Sequence, residues 1–153
     1  MNFKGPRETD DAKQVQEYAS VTKYMTKINN LYTFSPNQPI KEAIDTIIEK
    51  RISGGPVLDD DGNLVGMLSE KDCLKILVEG AYHNMPMVQR TVEDYMTSDL
   101  KTIQADKDVL DAANLFLNSF VRRFPVLDGK VLVGQISRRD ILKAAQDIKK
   151  THW

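Results

Sequence analysis

A chain of 153 residues with 41% hydrophobic and 28% charged positions has the length of one ordinary domain, or of two small units sharing a core; a large multidomain enzyme and a disordered or collagenous polymer are excluded. Its 21 basic residues against 22 acidic ones leave a formal charge of −1, which removes any whole-chain electrostatic case for nucleic acid or an anionic membrane. The single cysteine, Cys73, rules out an internal disulfide, and with only His83 and His152 beside it no Cys/His zinc cluster can be assembled.

In chain order, Met1 to Asp11 is too polar for a signal peptide, and no apolar run approaches the roughly 18 residues of a membrane span, so the expected setting is the cytoplasm. Residues 1–22 read as a polar extension. From Thr9 to Ser20 the sparse apolar positions Ala12, Val15 and Ala19 predict a mostly solvated helix, free to pack on a partner subunit. A first repeat follows over 23–79. It opens with Tyr24-Met25-Thr26 and a strand around Thr33-Phe34-Ser35-Pro36. Ile40, Ala43, Ile44, Ile47 and Ile48, at i, i+3, i+4, i+7 and i+8, predict an amphipathic helix. Next come a strand, Pro56-Val57-Leu58-Asp59, an Asp61-Gly62-Asn63 turn and a return strand over Leu64 to Leu68. The return strand runs into Ser69-Glu70-Lys71-Asp72 and a second helix, where Cys73 among Leu74, Ile76 and Leu77 reads as a small buried hydrophobe.

Residues 80–92 read as a linker in which Tyr82, Met85, Pro86 and Met87 would cover a domain edge. The plan then returns over 93–150. Tyr95-Met96-Thr97 and Thr102-Ile103-Gln104-Ala105 lead to the helix of Val109, Ala112, Ala113, Phe116 and Leu117. Pro125-Val126-Leu127-Asp128, the Gly129-Lys130 turn and Val131 to Ile136 lead to Ser137-Arg138-Arg139-Asp140 and a last helix through Ile148. Each half is thus a strand-helix-strand-strand-helix unit of mixed α and β structure. Some 60 residues bury too little surface alone, so the two halves are expected to pack through their sheets about a pseudo-twofold axis, leaving grooves lined from both sides.

The duplicated Ser-x-x-Asp endings fit a helix cap, with the carboxylate in the first turn. The same geometry also offers free N–H groups to an anion and a carboxylate to a ribose diol. The second half adds Arg122-Arg123 and Arg138-Arg139, which form either a phosphate clamp or a solvated rim, where the first half has Ser53-Gly54 and Glu70-Lys71. From Tyr24 to Val88 there are 6 basic and 9 acidic residues, a net of −3; from Gln89 to Lys150 there are 11 and 9, a net of +2. The case for a phosphate site is therefore better in the second half.

Taken together, the paired Tyr-Met-Thr segments, hydrophobic-x-Pro-Val strands and Gly-x-hydrophobic-Ser-x-x-Asp endings resemble tandem cystathionine-β-synthase (CBS) domains, the Bateman module. The resemblance covers Lys23 to Lys149. It implies a disc-like pair of domains whose clefts bind adenosine derivatives such as AMP, ADP, ATP or S-adenosylmethionine as regulatory ligands, with no cofactor and no reaction. It further implies a homodimer that signals to a target protein. Carried over by position, Asp72 and Asp140 would hold ribose hydroxyls, with Ser69 and Ser137 supporting ribose or phosphate. Thr33 and Thr102 would meet the ligand from the first strands. Ser53, Gly54 and Pro56, with Val121, Arg122, Arg123 and Pro125, would border adenine and phosphates; Arg138 is a candidate ligand residue through the arginine cluster. The competing readings are a dimerising scaffold with empty clefts, a nucleic-acid binder using the same arginines, and an enzyme. The last lacks a paired acid and base or an activated nucleophile.

Overall fold

The computed structural model describes residues 17–83 and 90–152. Its elements are α1 (Val21–Tyr24), β1 (Thr26–Lys27), a 3-10 turn (Ile28–Asn30), α2 (Ile40–Lys50), β2 (Gly54–Leu58), β3 (Leu64–Ser69) and α3 (Glu70–His83). The second half contributes α4 (Val92–Tyr95), β4 (Ile103–Gln104), α5 (Val109–Leu117), β5 (Arg123–Asp128), β6 (Val131–Ser137) and α6 (Arg138–His152). None of the described helices is long and apolar enough to cross a membrane.

The helical spacing read from the sequence places Ile40, Ala43 and Ile47 in the core of the first half, while Ile48 at the flank of the stripe is 68% exposed. Helix α2 stops at Arg51, whose left-handed backbone returns its N–H to the Ile47 and Ile48 carbonyls. Helix α5 starts on a reciprocal Asp108–Asp111 cap and buries Val109, Ala112 and Phe116. The Phe116 ring packs 4.6 Å from that of Phe124 in β5.

Helix α3 continues to His83, so the expected linker begins inside a helix; the covering role given to Tyr82, Met85, Pro86 and Met87 rests on side chains outside those described. Most of the expected N-terminal helix also lies outside the described residues. Residues 17–20 are not helical: Ser20 is extended, and its hydroxyl accepts from the Thr22 N–H to cap α1.

Two antiparallel hairpins, β2–β3 and β5–β6, form the centre of the halves. β4, within the strand expected at Thr102-Ile103-Gln104-Ala105, joins β5 in parallel. In the first half the corresponding strand is reduced to one parallel bridge, Phe34 to Val57, because only the Phe34 N–H and C=O reach the hairpin. The halves meet along the hairpin turns, with Asn63 bridging Val131, and they exchange their lead segments. β1 of the first half pairs with β6 of the second, Thr26 opposite Gln135 and Lys27 opposite Gly134. Thr97 of the second half pairs with Met67 in β3 of the first, through two backbone hydrogen bonds of 2.9 Å.

This exchange explains the glycine of each Gly-x-hydrophobic-Ser motif. A Cβ on Gly134 would lie 2.5 Å from the Thr26 carbonyl oxygen, and one on Gly66 would lie 2.5 Å from the Met96 sulfur. Each core is completed by the other half. Val21 is fully buried with Phe124, Val126 and Ile136, while Val92 and Tyr95 are buried with Phe34, Ile40 and Leu68. The tyrosines tie the exchange down. Tyr24 donates to Asp147 of α6 at 2.5 Å and Tyr95 to Glu79 of α3 at 2.9 Å. The carboxylate hydrogen bond pushes the Tyr24 phenol above its ordinary pKa, and burial followed by the Glu79 bond does the same for Tyr95.

Candidate functional site

The strand-to-helix junctions are built alike in both halves. The Ser69 N–H donates to Asp72 Oδ2 at 3.0 Å and the Asp72 N–H donates to Ser69 Oγ at 3.1 Å; Ser137 and Asp140 repeat this at 2.8 and 3.1 Å. The capping reading is therefore correct for both copies, and it commits one oxygen of each carboxylate to the protein. What separates them is the second oxygen. Asp72 Oδ1 accepts the Thr97 hydroxyl at 3.3 Å, lies 3.8 Å from Lys75 Nζ, and belongs to a residue only 9% exposed. Asp140 Oδ1 has no partner among the described residues, and Asp140 is half-buried.

Asp140 stands in a cavity of about 410 Å³ with Ser137, Thr26, Gln135 and the four arginines Arg122, Arg123, Arg138 and Arg139. A second cavity of about 600 Å³ adjoins it, with Arg123 and Gln135 as a common wall. Its lining includes Ser53, Gly54, Gly55 and Pro56 at the start of β2, Leu31 and Tyr32, and Ile47, Ile48 and Arg51 at the end of α2. The Arg123 guanidinium donates to Ser53 Oγ at 2.8 Å, spanning the two halves at that wall. The arrangement offers a carboxylate and hydroxyls at one end, guanidiniums in the middle, and glycine backbone with apolar side chains at the other end.

Of the residues singled out in the sequence, Ser53, Gly54, Pro56, Arg122, Arg123, Ser137, Arg138 and Asp140 line this continuous cleft. Ser69 and Asp72 belong to the other junction, closed by Thr97. Thr33 is exposed and borders neither cavity, and Thr102 lies in a separate groove with Lys107, Asp111 and Asn114. Val121 is 37% exposed outside both cavities; Pro125 is buried in β5 opposite Gln135. Thr26, Gln135, Leu31 and Tyr32 were not anticipated. For Thr26 the signal was present in the duplicated Tyr-Met-Thr, whose threonines face the opposite half's carboxylate region: Thr97 bonds Asp72, and Thr26 shares the cavity of Asp140.

No group of three metal-ligating side chains occurs among the described residues. The Cys73 thiol, half-buried, is pushed up to about 11 by burial and then by the Asp72 and Glu70 charges, so it is a protonated thiol at neutral pH and a poor nucleophile.

A family model for the CBS domain matches residues 21–79 and 92–147. The chain is 31% identical, over 157 aligned positions, to the chloroplastic CBS domain-containing protein CBSX1 of Arabidopsis thaliana; the match covers 86% of this chain and 66% of that protein, just under two thirds of its length. It is similar to the crystal structure of CBSX2 from the same plant in complex with AMP, with a TM-score of 0.74, 30% identity, and coverage of 86% of this chain and 98% of the other. The structure of CbpB in complex with c-di-AMP shares the fold at a TM-score of 0.77 and 16% identity, over 96% of this chain and 97% of that one.

Proposed function

The chain belongs to the CBS domain family, and from that premise we propose that it is a non-catalytic regulatory module that binds an adenosine nucleotide in the cleft of Asp140 and reports its occupancy to a partner protein. The carrying observation is the contrast between the two carboxylates: Asp140 presents an uncommitted oxygen to a cavity that both halves build, whereas Asp72 spends its second oxygen on Thr97. A ribose diol would donate to Asp140, with Thr26 and Ser137 beside it, and a base would reach the glycine-lined end at Gly54 and Gly55. The AMP complex of the 30% identical CBSX2 supports an adenosine ligand. Neither a cofactor nor a reaction is part of this reading, and the single unactivated thiol suits a reducing cytoplasm.

Small molecules released from the purified protein and identified by mass spectrometry should include an adenosine nucleotide. Adding it at 100 times its dissociation constant should stabilise the fold by about 2.7 kcal/mol and raise the melting temperature by several degrees. A flat response to adenosine, AMP, ADP, ATP and S-adenosylmethionine, with nothing released, would remove this reading.

The module is further proposed to work as a homodimer. Leu74, Leu77 and Val78 on α3, Ile48 on α2 and Leu142 on α6 are each more than half exposed, apolar helix positions that none of the described elements covers. Sedimentation should show a dimer, and a monomer at every practical concentration would refute it. These faces also keep the scaffold reading specific: a dimer that forms normally and binds no nucleotide would be its signature.

A further inference from the structure

We propose that the Asp140 cleft selects nucleotides carrying two or more phosphates, with Arg122, Arg138 and Arg139 as the clamp and Arg123 as the residue that joins phosphate and base ends. This rests on the adenosine reading above and names the ligand class within it. Four arginines and one aspartate line the cavity, a net of +3. None of the four arginines pairs with a carboxylate among the described residues; the hydrogen bond of Arg123 to Ser53 is neutral at its acceptor. Like charges gathered around one cavity, with no carboxylate partner among the described residues, are unfavourable, and a polyanion offsets them.

The fold itself does not require these arginines, because the first repeat serves as an internal control. At the matching positions it has Ser53-Gly54 for Arg122-Arg123 and Glu70-Lys71 for Arg138-Arg139, and it forms the same hairpin, cap and helix. A nucleoside monophosphate brings a charge of about −2, less than the cavity's excess, and each further phosphate adds to it. The guanidinium fork matches phosphate oxygens in pairs, so each added phosphate has a donor set waiting. A sulfonium nucleoside would place a cation among four others. Arg123 stands in the wall between the cavities, and a phosphate that draws it from Ser53 opens that wall.

The test is calorimetric titration of the full chain with adenosine, AMP, ADP, ATP, S-adenosylmethionine and inorganic pyrophosphate. Affinity should rise at least tenfold from AMP to ADP, S-adenosylmethionine should bind more weakly than AMP, and pyrophosphate should compete with ADP. Arg138→Gln should collapse the ADP-to-AMP ratio while leaving adenosine within about twofold. Ser53→Ala, which frees Arg123, should tighten ADP and not adenosine. Both variants change side chains on the surface, and the ligand-free melting temperature verifies that each is folded. AMP binding as tightly as ADP, or S-adenosylmethionine binding more tightly than AMP, overturns this inference and leaves the adenosine reading standing. Pyrophosphate binding with no adenosine compound bound supports the clamp and overturns the adenosine reading, and no binding by any compound overturns both.

Discussion

Asp140→Ala is expected to weaken nucleotide binding by roughly 10- to 100-fold, the equivalent of about 1.5–3 kcal/mol for hydrogen bonds to a charged acceptor. Asp72→Ala is expected to leave tight binding intact and to lower stability instead. The comparison is well controlled by the repeat. Both substitutions remove the same half of the cap, the carboxylate that accepts from the serine N–H, and leave the backbone N–H to serine Oγ bond in place, at a cost of about 1 kcal/mol in each half. Only at Asp72 does the change also remove the hydrogen bond from Thr97 across the halves; Thr97 is exposed and its hydroxyl turns to water, so this adds about 1 kcal/mol. At about 2–4 °C per kcal/mol for a protein near this size, Asp72→Ala should melt about 2–4 °C below Asp140→Ala. Calorimetry with ADP and thermal unfolding of both variants settle the matter. Loss of tight binding in Asp72→Ala with retention in Asp140→Ala would move the site to the other repeat.

The second large effect is predicted for Gly54→Ala, with a cost of about 3 kcal/mol or more, roughly a 10 °C fall in melting temperature, or no soluble protein. Gly54 has φ of +140°, and a Cβ there would lie 2.0 Å from the Leu68 carbonyl oxygen and 2.8 Å from the Ser69 Cα. Both obstacles are backbone atoms of the paired strand, so no rotamer change relieves them. Gly62→Ala supplies the contrast: φ is +83°, but nothing lies within 4 Å, so only the conformational cost of about 1–2 kcal/mol remains. Equal melting temperatures for the two variants would show that the close approach at Gly54 is not decisive. The matching residue of the other hairpin is Arg123, whose backbone is not in the positive-φ region, and there a side chain is accommodated and reaches Ser53.

Much of this arrangement is legible in the residues because it is local. The stripe of Ile40, Ala43 and Ile47, the Asp-Gly turns, the proline-led strands and the Ser-x-x-Asp caps each depend on neighbours within a few positions. The arginine excess of the second half was likewise visible by comparing the repeats. The exchange of lead segments was not. Val21 and Val92 follow similar apolar patterns and fill similar cores, so nothing in their surroundings says which half each one completes. For the same reason the sequence marks Thr33 and Thr102, in the first strand of their own halves, and carries no sign that Thr26 and Thr97 reach the opposite half. The engagement of Asp72 by Thr97 depends on a contact across 25 positions and on the pseudo-symmetric packing, neither of which has a local signature.

The exchanged lead segments bear on how two unlike clefts arise from one repeated plan. Were each repeat a separate chain, two identical copies trading these segments would form a closed dimer, and symmetry would force both clefts to carry the same side chains. Every arginine gained in one would appear in the other, and every threonine latch as well. Covalent joining keeps the traded segments at high effective concentration, so assembly no longer depends on how much protein is present. It also releases the two copies from identity. Ser53-Gly54 can then differ from Arg122-Arg123, and one carboxylate can be given over to holding the halves together while its twin stays open. The division of labour between Asp72 and Asp140 is thus a freedom that the tandem chain has and a symmetric pair of single repeats does not.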